Sequence, residues 1–463
     1  MSAVHGCVVL YFNLPGIWLV GCSGPSELDS PDAGRTAAYQ PGLPNFDMEA
    51  LATLRDGDPG LDLYLSLPHA SMVYTRDGSG FQARARYDVA VLDDDGGDLF
   101  HPAQYIDTLR VPTYASTQSF RQYVRKERLD VAPGTYIVEV TLTDEETAKF
   151  TERRQRVTVP ASPGKPAMSR MHIEVKRSDE AFEPHIALSV PAGFDSLRAT
   201  VDLYSIPAGA NVSLQLQELE SDTTVARPGF WLGYARSSLE FKGIDFEAAP
   251  LDTIQTTSRT LELGADLVTV EINLPPLEPG MYRILMEARE TEGQPPFAEQ
   301  SREFAVREID FPRLTEVDDL ISALAYIASE REFEFISEGE ASRERRRRFD
   351  AFWGGLFNDR QVAAGIIRLY YERVEQANLL FTTYKEGWKT DRGMVYVLFG
   401  PPEYVETRVD AETWHYDLSS QTALSTFVFG RASFSSTLRP AFENWVLQRS
   451  NSYETIWRRA VRR

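Results

Sequence analysis

One short phrase occurs twice in this 463-residue chain and constrains its fold more than any other feature. Residues 132–137 read Ala-Pro-Gly-Thr-Tyr-Ile, and residues 278–283 read Glu-Pro-Gly-Met-Tyr-Arg. In each copy Pro-Gly is typical of a tight turn, and the tyrosine enters a long alternating strand. The copies are 146 residues apart, which is about the length of one domain. We predict two tandem immunoglobulin-like β-sandwiches; the alternative is that Pro-Gly-x-Tyr is a common strand entry in any sandwich.

Period-two alternation supports this prediction on both sides of the repeat. Apolar and polar residues alternate at 63–67, 81–87 and 136–142, and again at 172–175, 199–204 and 212–216, with Gly and Asp at the turns between them. The predicted bounds are 46–165 for the first sandwich and 166–311 for the second. The six histidines include no pair at helical metal-site spacing, and neither a Gly-x-Ser-x-Gly elbow nor a phosphate loop occurs. We therefore predict no catalytic residue, no metal and no cofactor.

Both cysteines of the chain, Cys7 and Cys22, lie at its N-terminus. An apolar stretch at 8–21 is too short and too broken for a transmembrane helix but suits a signal peptide. It ends in Gly21-Cys22, which resembles the lipobox of bacterial lipoproteins, where the cysteine sulfur receives a diacylglycerol. We predict a signal peptide over 1–21, lipidation of Cys22 and a flexible tether over 22–45, which is rich in Ser, Pro and Gly. The alternative is a buried apolar strand with an ordinary cysteine, and the lack of Lys or Arg in residues 1–6 departs from the usual signal pattern.

Charge and anchoring together define the expected partners. The formal net charge of −20 disfavours nucleic acid, because phosphate binding depends on Lys and Arg. Several acyl chains on Cys22 would hold the protein stably on a membrane. Ser23 rather than Asp follows the cysteine, which by resemblance to the enterobacterial sorting rule leaves delivery to the outer membrane open. We predict anchoring there, facing the periplasm or the cell surface. An envelope protein is the expected partner.

The pattern changes to helical spacing near residue 312. We predict a helix over 315–329 with a capping box from Thr315 to Asp318, another over 342–352, a third over 361–381 and a closing helix over 451–463. Strands are predicted at 394–399, 413–416 and 425–429. The run Arg345–Arg348 could dock an anionic partner, although a solvated helix face is the simpler interpretation.

The most distinctive stretch is 384–402, YKEGWKTDRGMVYVLFGPP. Gly387 permits a sharp turn through a positive φ, and Trp388 can fill an apolar pocket. Thr390 and Asp391 can accept hydrogen bonds from local backbone amides. Arg392 can pair with Asp391 or another nearby acid, and Gly393 opens the predicted strand.

These residues resemble the signature of the GWxTD-domain family of bacterial exported proteins. The resemblance extends in the family's order over Phe352-Trp353, 370–378, the signature at 387–391, 396–402 and Glu412–Tyr416, and the stretch 447–461 resembles the ending of the Bacteroidetes-type subgroup. Gly354-Gly355-Leu356 departs from the charged segment of many members. The resemblance implies a C-terminal α+β GWxTD domain over 312–463. It implies no reaction, because the family has no assigned activity.

Three hypotheses for the function remain at this point. The favoured one is a noncatalytic envelope lipoprotein whose sandwiches are spacers or platforms and whose last domain docks a partner. The second is an envelope enzyme that acts on an extracellular polymer through carboxylates near Asp391, with Glu403, Glu406 and His415 as candidate neighbours. The third is a subunit of a secretion or surface-assembly machine.

Overall fold

The computed structural model divides the chain into two compact units. It describes residues 35–36, 39–55, 58–94, 102–159, 166–169, 171–177, 181–186, 188–191, 193–219, 224–230, 252–262, 264–357, 359–408, 411–416, 425–431 and 445–460. The sandwich unit comprises 41–220 and 249–309. The C-terminal unit comprises the described residues within 35–40, 224–230 and 310–460. Two tandem β modules followed by a C-terminal α+β domain confirm the predicted fold class.

The first sandwich packs a three-stranded sheet against a five-stranded one. The sheet orders are β2-β3-β7 and β4-β5-β8-β9, with β6 also paired to β5. Leucines alternate into the core along β3, and Tyr87 and Phe46 are completely buried between the sheets. The strands are β2 Asp47–Arg55, β3 Asp58–Pro68, β4 Thr75–Asp77, β5 Gly80–Asp93, β6 Ala103–Val111, β7 Gln122–Leu129, β8 Gly134–Asp144 and β9 Phe150–Val159, with a 3₁₀ turn at His69–Ser71 and a helical turn at Tyr114–Thr117.

The second sandwich has two five-stranded sheets. The orders are β10-β14-β11-β12, with β17 also paired to β14, and β13-β19-β18-β15-β16. Its core is separate from that of the first sandwich and contains Phe304, Ile284 and Leu214. The strands are β10 Ala167–Met168, β11 His172–Lys176, β12 Glu183–His185, β13 Ser189–Pro191, β14 Ser196–Ile206, β15 Asn211–Leu219, β16 Asp252–Thr260, β17 Ala265–Asn273, β18 Gly280–Arg289 and β19 Ala298–Arg307.

The repeated phrase forms the same corner in both sandwiches. The hydroxyl of Tyr136 donates to the carbonyl of Ala132 at 2.9 Å, and the hydroxyl of Tyr282 donates to that of Glu278 at 2.7 Å. A tyrosine whose hydroxyl bonds a few residues upstream is the tyrosine corner of sandwich folds. The preceding glycine lies under the ring, since a Cβ there would be 3.0 Å from the hydroxyl of Tyr136. Each corner opens an antiparallel pair with the next strand, β8 with β9 and β18 with β19.

A buried ion pair joins the two sandwiches. Arg302 of β19 donates to Glu49 of β2 at 2.9 Å and to the carbonyl of Met171 at 2.9 Å. Both side chains are under one tenth exposed. Leu51, Tyr64 and Ile186 form a small apolar cluster of their own.

Helices dominate the C-terminal unit, together with one antiparallel sheet. The sheet order is β1-β20-β21-β22-β23. We call Arg360–Phe381 the long helix and Asp391–Phe399 the signature helix. The other helices are Val317–Ser322, Glu330–Ser337, Ser342–Leu356 and Tyr453–Ala460, with 3₁₀ turns at Ala323–Tyr326 and Gly387–Lys389, and the strands are β1 Arg35–Thr36, β20 Tyr404–Thr407, β21 Ala411–Tyr416, β22 Ser425–Arg431 and β23 Trp445–Leu447.

The capping box of the C-terminal unit lies at a different helix from the one predicted. The capping box predicted from Thr315 to Asp318 does not form, because Thr315 donates its hydroxyl to Asp310 and the helix begins after Glu316. A capping box instead starts the next helix, where Ser329 pairs with Glu332. Acidic residues at the beginning of both helices suit the positive end of the helix dipole.

The C-terminal unit draws on three separate parts of the chain, which differs from the predicted bounds. The predicted domain was 312–463, yet residues 35–40 and 224–230 also belong to this unit. Phe230 packs edge-on against Trp457, and the amide of Ser450 donates to the carbonyl of Gly229. The sequence places 221–248 in the second sandwich, because an insertion between β15 and β16 leaves no signal in the alternation of either strand.

Candidate functional site

The signature at 387–393 begins a helix, so the predicted strand at 394–399 is wrong. The signature helix is buried all round, from Met394 to Leu398. A short run that is apolar on every face has no period, and periodicity alone cannot separate a central strand from a buried helix. The side chain of Thr390 favours a helix over a strand at this point. Its hydroxyl oxygen accepts from the amide of Gly393 at 3.0 Å, which is an N-cap, and it donates to the carbonyl of Gly387 at 2.7 Å.

Both signature glycines are needed because backbone lies directly against them. A Cβ on Gly387 would lie 1.9 Å from the carbonyl oxygen of Ala377 in the long helix. A Cβ on Gly393 would lie 1.9 Å from the carbonyl oxygen of Gly387 itself. Gly387 is not among the described glycines with positive φ, so close approach replaces the predicted turn conformation as the reason for this residue.

Trp388 lies in the main apolar cluster with 2 % of its surface exposed. Its amide donates to Asn378 Oδ1 at 3.2 Å, and its carbonyl accepts from the hydroxyl of Tyr326 at 2.7 Å. Burial, followed by the negative charge of Asp391, raises the pKa of Tyr326 well above its usual value. We call residues 387–393 the signature corner. Tyr326 is a neutral hydrogen-bond donor to it.

Asp391 forms a buried ion pair with Arg449. Its Oδ1 accepts from Arg449 Nη2 at 2.7 Å, and its Oδ2 accepts from Arg449 Nη1 at 3.1 Å and from the amide of Leu447 at 2.8 Å. Each side chain of the pair is 6 % exposed. The sequence predicted bonds to local amides, but these partners lie on and beyond β23. The two-pronged geometry ties the start of the signature helix to the end of the sheet.

Arg392 pairs with Glu412 rather than with Asp391. Its Nη1 lies 3.4 Å from Glu412 Oε1, and its guanidinium lies about equally far from the rings of Phe381 and Trp445, at 5.2 and 5.3 Å. Glu412 also accepts from Trp414 Nε1 at 3.0 Å. This is a second charged group of the signature that is neutralised inside the unit.

Among the described residues, the partners of Asp391 are Arg449 and the Leu447 amide, and they include none of the candidate neighbours Glu403, Glu406 and His415. Glu406 instead lies 3.5 Å from His415 Nε2, and the His415 ring stacks on Tyr404 at 4.2 Å. Glu403 meets His415 only through the backbone, where its amide donates to the His415 carbonyl. Within the described part of the chain, no three His, Cys, Asp or Glu residues form a group that could hold a metal ion.

Three arginines of the run Arg345–Arg348 pair with acidic residues of the C-terminal unit. Arg345 makes two bonds to Asp318, at 2.6 and 2.9 Å, and Arg348 pairs with Glu344. Arg346 pairs with Asp350 at the surface. Arg346 and Arg347 are exposed, whereas Arg345 and Arg348 are partly buried and bond to neighbouring helices.

The sequence predicted no contact for four residues that bond to this region: Tyr39, Asn378, Glu412 and Arg449. The last three lie within the family-like stretches. Asn378 receives the Trp388 amide and donates to the carbonyl of Pro312 at 2.9 Å. Arg449 stands in an ordinary stretch after a short strand. Only its place within the family-like ending at 447–461 marked it.

The N-terminal predictions fall outside the described residues. These are the signal peptide over 1–21, the lipid on Cys22 and the first part of the tether. Among the described residues, no helix is long and apolar enough to cross a membrane.

Comparison with known proteins yields one family match. The model described as "GWxTD domain" matches residues 292–463. It begins earlier than the predicted boundary at 312. No curated protein matches the chain.

Three solved structures are similar over 57 % of this chain. They are red sea bream transglutaminase (10 % identity, 31 % of that chain, TM-score 0.17), the chicken interferon gamma receptor alpha chain (10 %, 98 %, 0.14) and a mutant of Salmonella alpha-2-macroglobulin (12 %, 17 %, 0.17). TM-scores this low carry no argument about fold or function.

Proposed function

We propose, from the premise that residues 292–463 match the GWxTD domain, that the protein is a membrane-anchored envelope lipoprotein without catalytic activity. It binds or scaffolds a protein partner in the cell envelope. Cys22 carries the lipid, and the protein is held on the outer membrane, facing the periplasm or the cell surface. No nucleic acid or cofactor takes part.

The observation that carries the noncatalytic role is the environment of Asp391. General acid or base catalysis needs a carboxylate within hydrogen-bonding reach of a substrate. Both oxygens of Asp391 already accept bonds, from Arg449 and from the Leu447 amide, and the side chain is buried. Thr390 and the two glycines are likewise used in forming the corner. The signature residues therefore stabilise the fold, and Asp391 has no unbonded oxygen for a substrate, which argues against an enzyme that works through this residue.

The lipid anchor is supported by the sequence alone. Cys22 follows an apolar stretch and a small residue, and the chain has no thiol beyond it. Two or more acyl chains on one residue give stable membrane binding, because each buried CH₂ contributes about 0.8 kcal/mol.

The anchor is tested by changing Cys22→Ala in the full chain expressed in a bacterial envelope. We expect the variant to leave the membrane fraction and to lose acyl labelling, whereas Cys7→Ala keeps both, since residue 7 is removed with the signal peptide. Acyl labelling that survives Cys22→Ala would refute the anchor.

The noncatalytic role is tested by incubating the purified full chain with isolated envelope polymers and measuring soluble product. We expect none above buffer. Product released by the wild type, but not by Glu406→Gln or His415→Gln, would establish an enzyme. These two residues are suitable because their side chains take no part in the signature corner. Cross-linking in intact envelopes, followed by purification in detergent, should yield one recurrent protein partner with the wild type and less of it with Cys22→Ala.

A further inference from the structure

The segment that follows the proposed anchor belongs to the C-terminal unit. Strand β1, Arg35–Thr36, pairs antiparallel with β20 at the edge of the five-stranded sheet. Arg35 lies opposite Glu406 and Thr36 opposite Val405. We call Arg35–Thr36 together with Tyr39 and Gln40 the docked segment.

Tyr39 inserts its ring into the aromatic core of the GWxTD domain. The ring meets Phe381 edge-on at 5.0 Å and lies 5.2 Å from Trp414. Its hydroxyl donates to Glu412 at 3.0 Å, so the tyrosine joins the same carboxylate that neutralises Arg392. A partly buried aromatic ring with a satisfied hydroxyl contributes both packing and orientation.

Backbone contacts hold the segment on both sides of that ring. Tyr39 adopts a positive φ of 63°, which turns the chain at this point. Its carbonyl accepts from the hydroxyl of Tyr396 at 3.2 Å, and the amide side chain of Gln40 donates to the carbonyl of Pro402. The docked segment is therefore bound to the domain through a strand, a ring and three polar contacts.

The number of residues between Cys22 and the docked segment limits how far the domain can lie from the lipid anchor. Twelve residues, 23–34, separate Cys22 from the docked segment. Whatever their conformation, they cannot separate Cys22 from Arg35 by more than about 45 Å. The sequence predicts one flexible tether over 22–45 that leads to the first sandwich. In the structure, the docked segment within this stretch binds the GWxTD domain before the chain reaches the first sandwich.

We infer that the docked segment ties the GWxTD domain directly to the lipid anchor, so that Arg35 on its sheet edge stays within about 45 Å of the acylated Cys22. The inference rests on the proposed anchor at Cys22. Its partner is the bilayer that carries the anchor. Any envelope protein that the domain binds must then be reached close to that surface.

The test uses the full lipidated chain in vesicles of phosphatidylethanolamine and phosphatidylglycerol that contain acceptor-labelled lipid. The mature chain has no thiol besides Cys22, so Glu372→Cys, at an exposed position of the long helix, takes a single donor dye. Energy transfer from the dye to the lipid then reports the distance of the GWxTD domain from the bilayer. A second dye on Cys22 would show a free thiol there, and so would refute the anchor without involving the docked segment.

Two matched insertions decide the inference. Twenty-four Gly and Ser residues inserted before Arg35 raise the maximal reach to about 130 Å, and we expect transfer to fall about twofold or more. The same insertion after Gly42, in an exposed turn beyond the docked segment, should leave transfer unchanged. Equal effects of the two insertions would overturn the inference, because the anchor would then reach the domain only through the sandwiches.

A point variant gives an independent measurement. Tyr39→Ala should lower transfer while the protein stays in the membrane fraction and its tryptophan fluorescence keeps a folded spectrum. Unchanged transfer in a folded Tyr39→Ala protein would count against the docked segment as the tie. Loss of the membrane fraction in the parent chain would instead refute the anchor.

Discussion

The tyrosine corners of the two sandwiches are held by contacts within a few residues, whereas the signature corner is held by contacts to distant parts of the chain. At the sandwich corners a glycine lies under a tyrosine whose hydroxyl bonds four residues back, as Tyr136 does to Ala132. At the signature corner Gly387 packs on backbone, and the neighbouring tryptophan and aspartate bond to Tyr326, Asn378 and Arg449. The first corner is complete within one short phrase. The second is completed by separate elements and tolerates less change, because each of its groups is buried with a partner fixed elsewhere.

The largest effect that this comparison predicts is for Gly387→Ala. The new Cβ would meet a helix carbonyl at 1.9 Å, and backbone on both sides cannot yield. We expect a loss of about 4–5 kcal/mol, the range of the most damaging substitutions. Gly365→Ala is the matched control, since no atom lies within 4 Å of its Cβ in the long helix, and it should stabilise by about 0.5–1 kcal/mol.

Tryptophan fluorescence during urea unfolding measures this effect. Residues 41–220 and 249–309 contain no tryptophan, so the signal reports the C-terminal unit alone, while far-UV circular dichroism also follows the sandwiches. A Gly387→Ala protein as stable as the wild type would mean that the corner is looser than its contacts imply.

Trp388→Ala should cost about 4 kcal/mol, the usual effect of deleting a large buried aromatic side chain. The same fluorescence transition serves, because other tryptophans of the unit, such as Trp353 and Trp414, remain. Phe335→Ala, at a side chain that is 57 % exposed, should cost less than about 1 kcal/mol. Equal losses at both positions would remove the distinction between the corner and the surface.

Asp391→Asn should cost about 3 kcal/mol, because the change leaves the buried guanidinium of Arg449 without its counter-charge. Asp350→Asn breaks an exposed pair with Arg346 and should change stability by less than about 0.5 kcal/mol. If both variants unfold at the same urea concentration, the buried pair is not what fixes the signature helix to β23.

The smallest effects belong to the sandwich corners. Tyr136→Phe and Tyr282→Phe each remove one hydrogen bond while the ring stays packed, which should cost about 1 kcal/mol in the circular dichroism transition. Tyr114→Phe is the control, at a ring that is 68 % exposed, and should be neutral. A loss at Tyr136 or Tyr282 as large as that at Asp391 would contradict the proposed difference between the corners.

The same difference explains what could be predicted from the sequence. The tyrosine corners lie in one phrase with a period-two strand behind it, so their form and their repetition were visible. The long helix was visible too, since its apolar stripe runs over many turns from one end to the other.

What could not be predicted lacked a local signal. The signature helix is apolar on all sides, so its period is hidden, and the cap from Thr390 was the only clue. Arg449 lies 58 residues from Asp391, and nothing in the intervening sequence relates them. Tyr39 stands in a stretch rich in Pro and Gly, which is typical of a tether, and its role depends on a pocket made by residues more than 300 positions away.

The pair between Arg302 and Glu49 has a consequence for anyone who would divide this molecule. Each charge is out of water and is compensated by a residue of the other sandwich. Cutting the chain between the two sandwiches would leave one buried charge without its partner on each fragment. A buried unpaired charge typically lowers the free energy of unfolding by several kcal/mol. The two sandwiches should therefore be expressed together, and a truncation point at residues 160–165 should yield poorly folding halves.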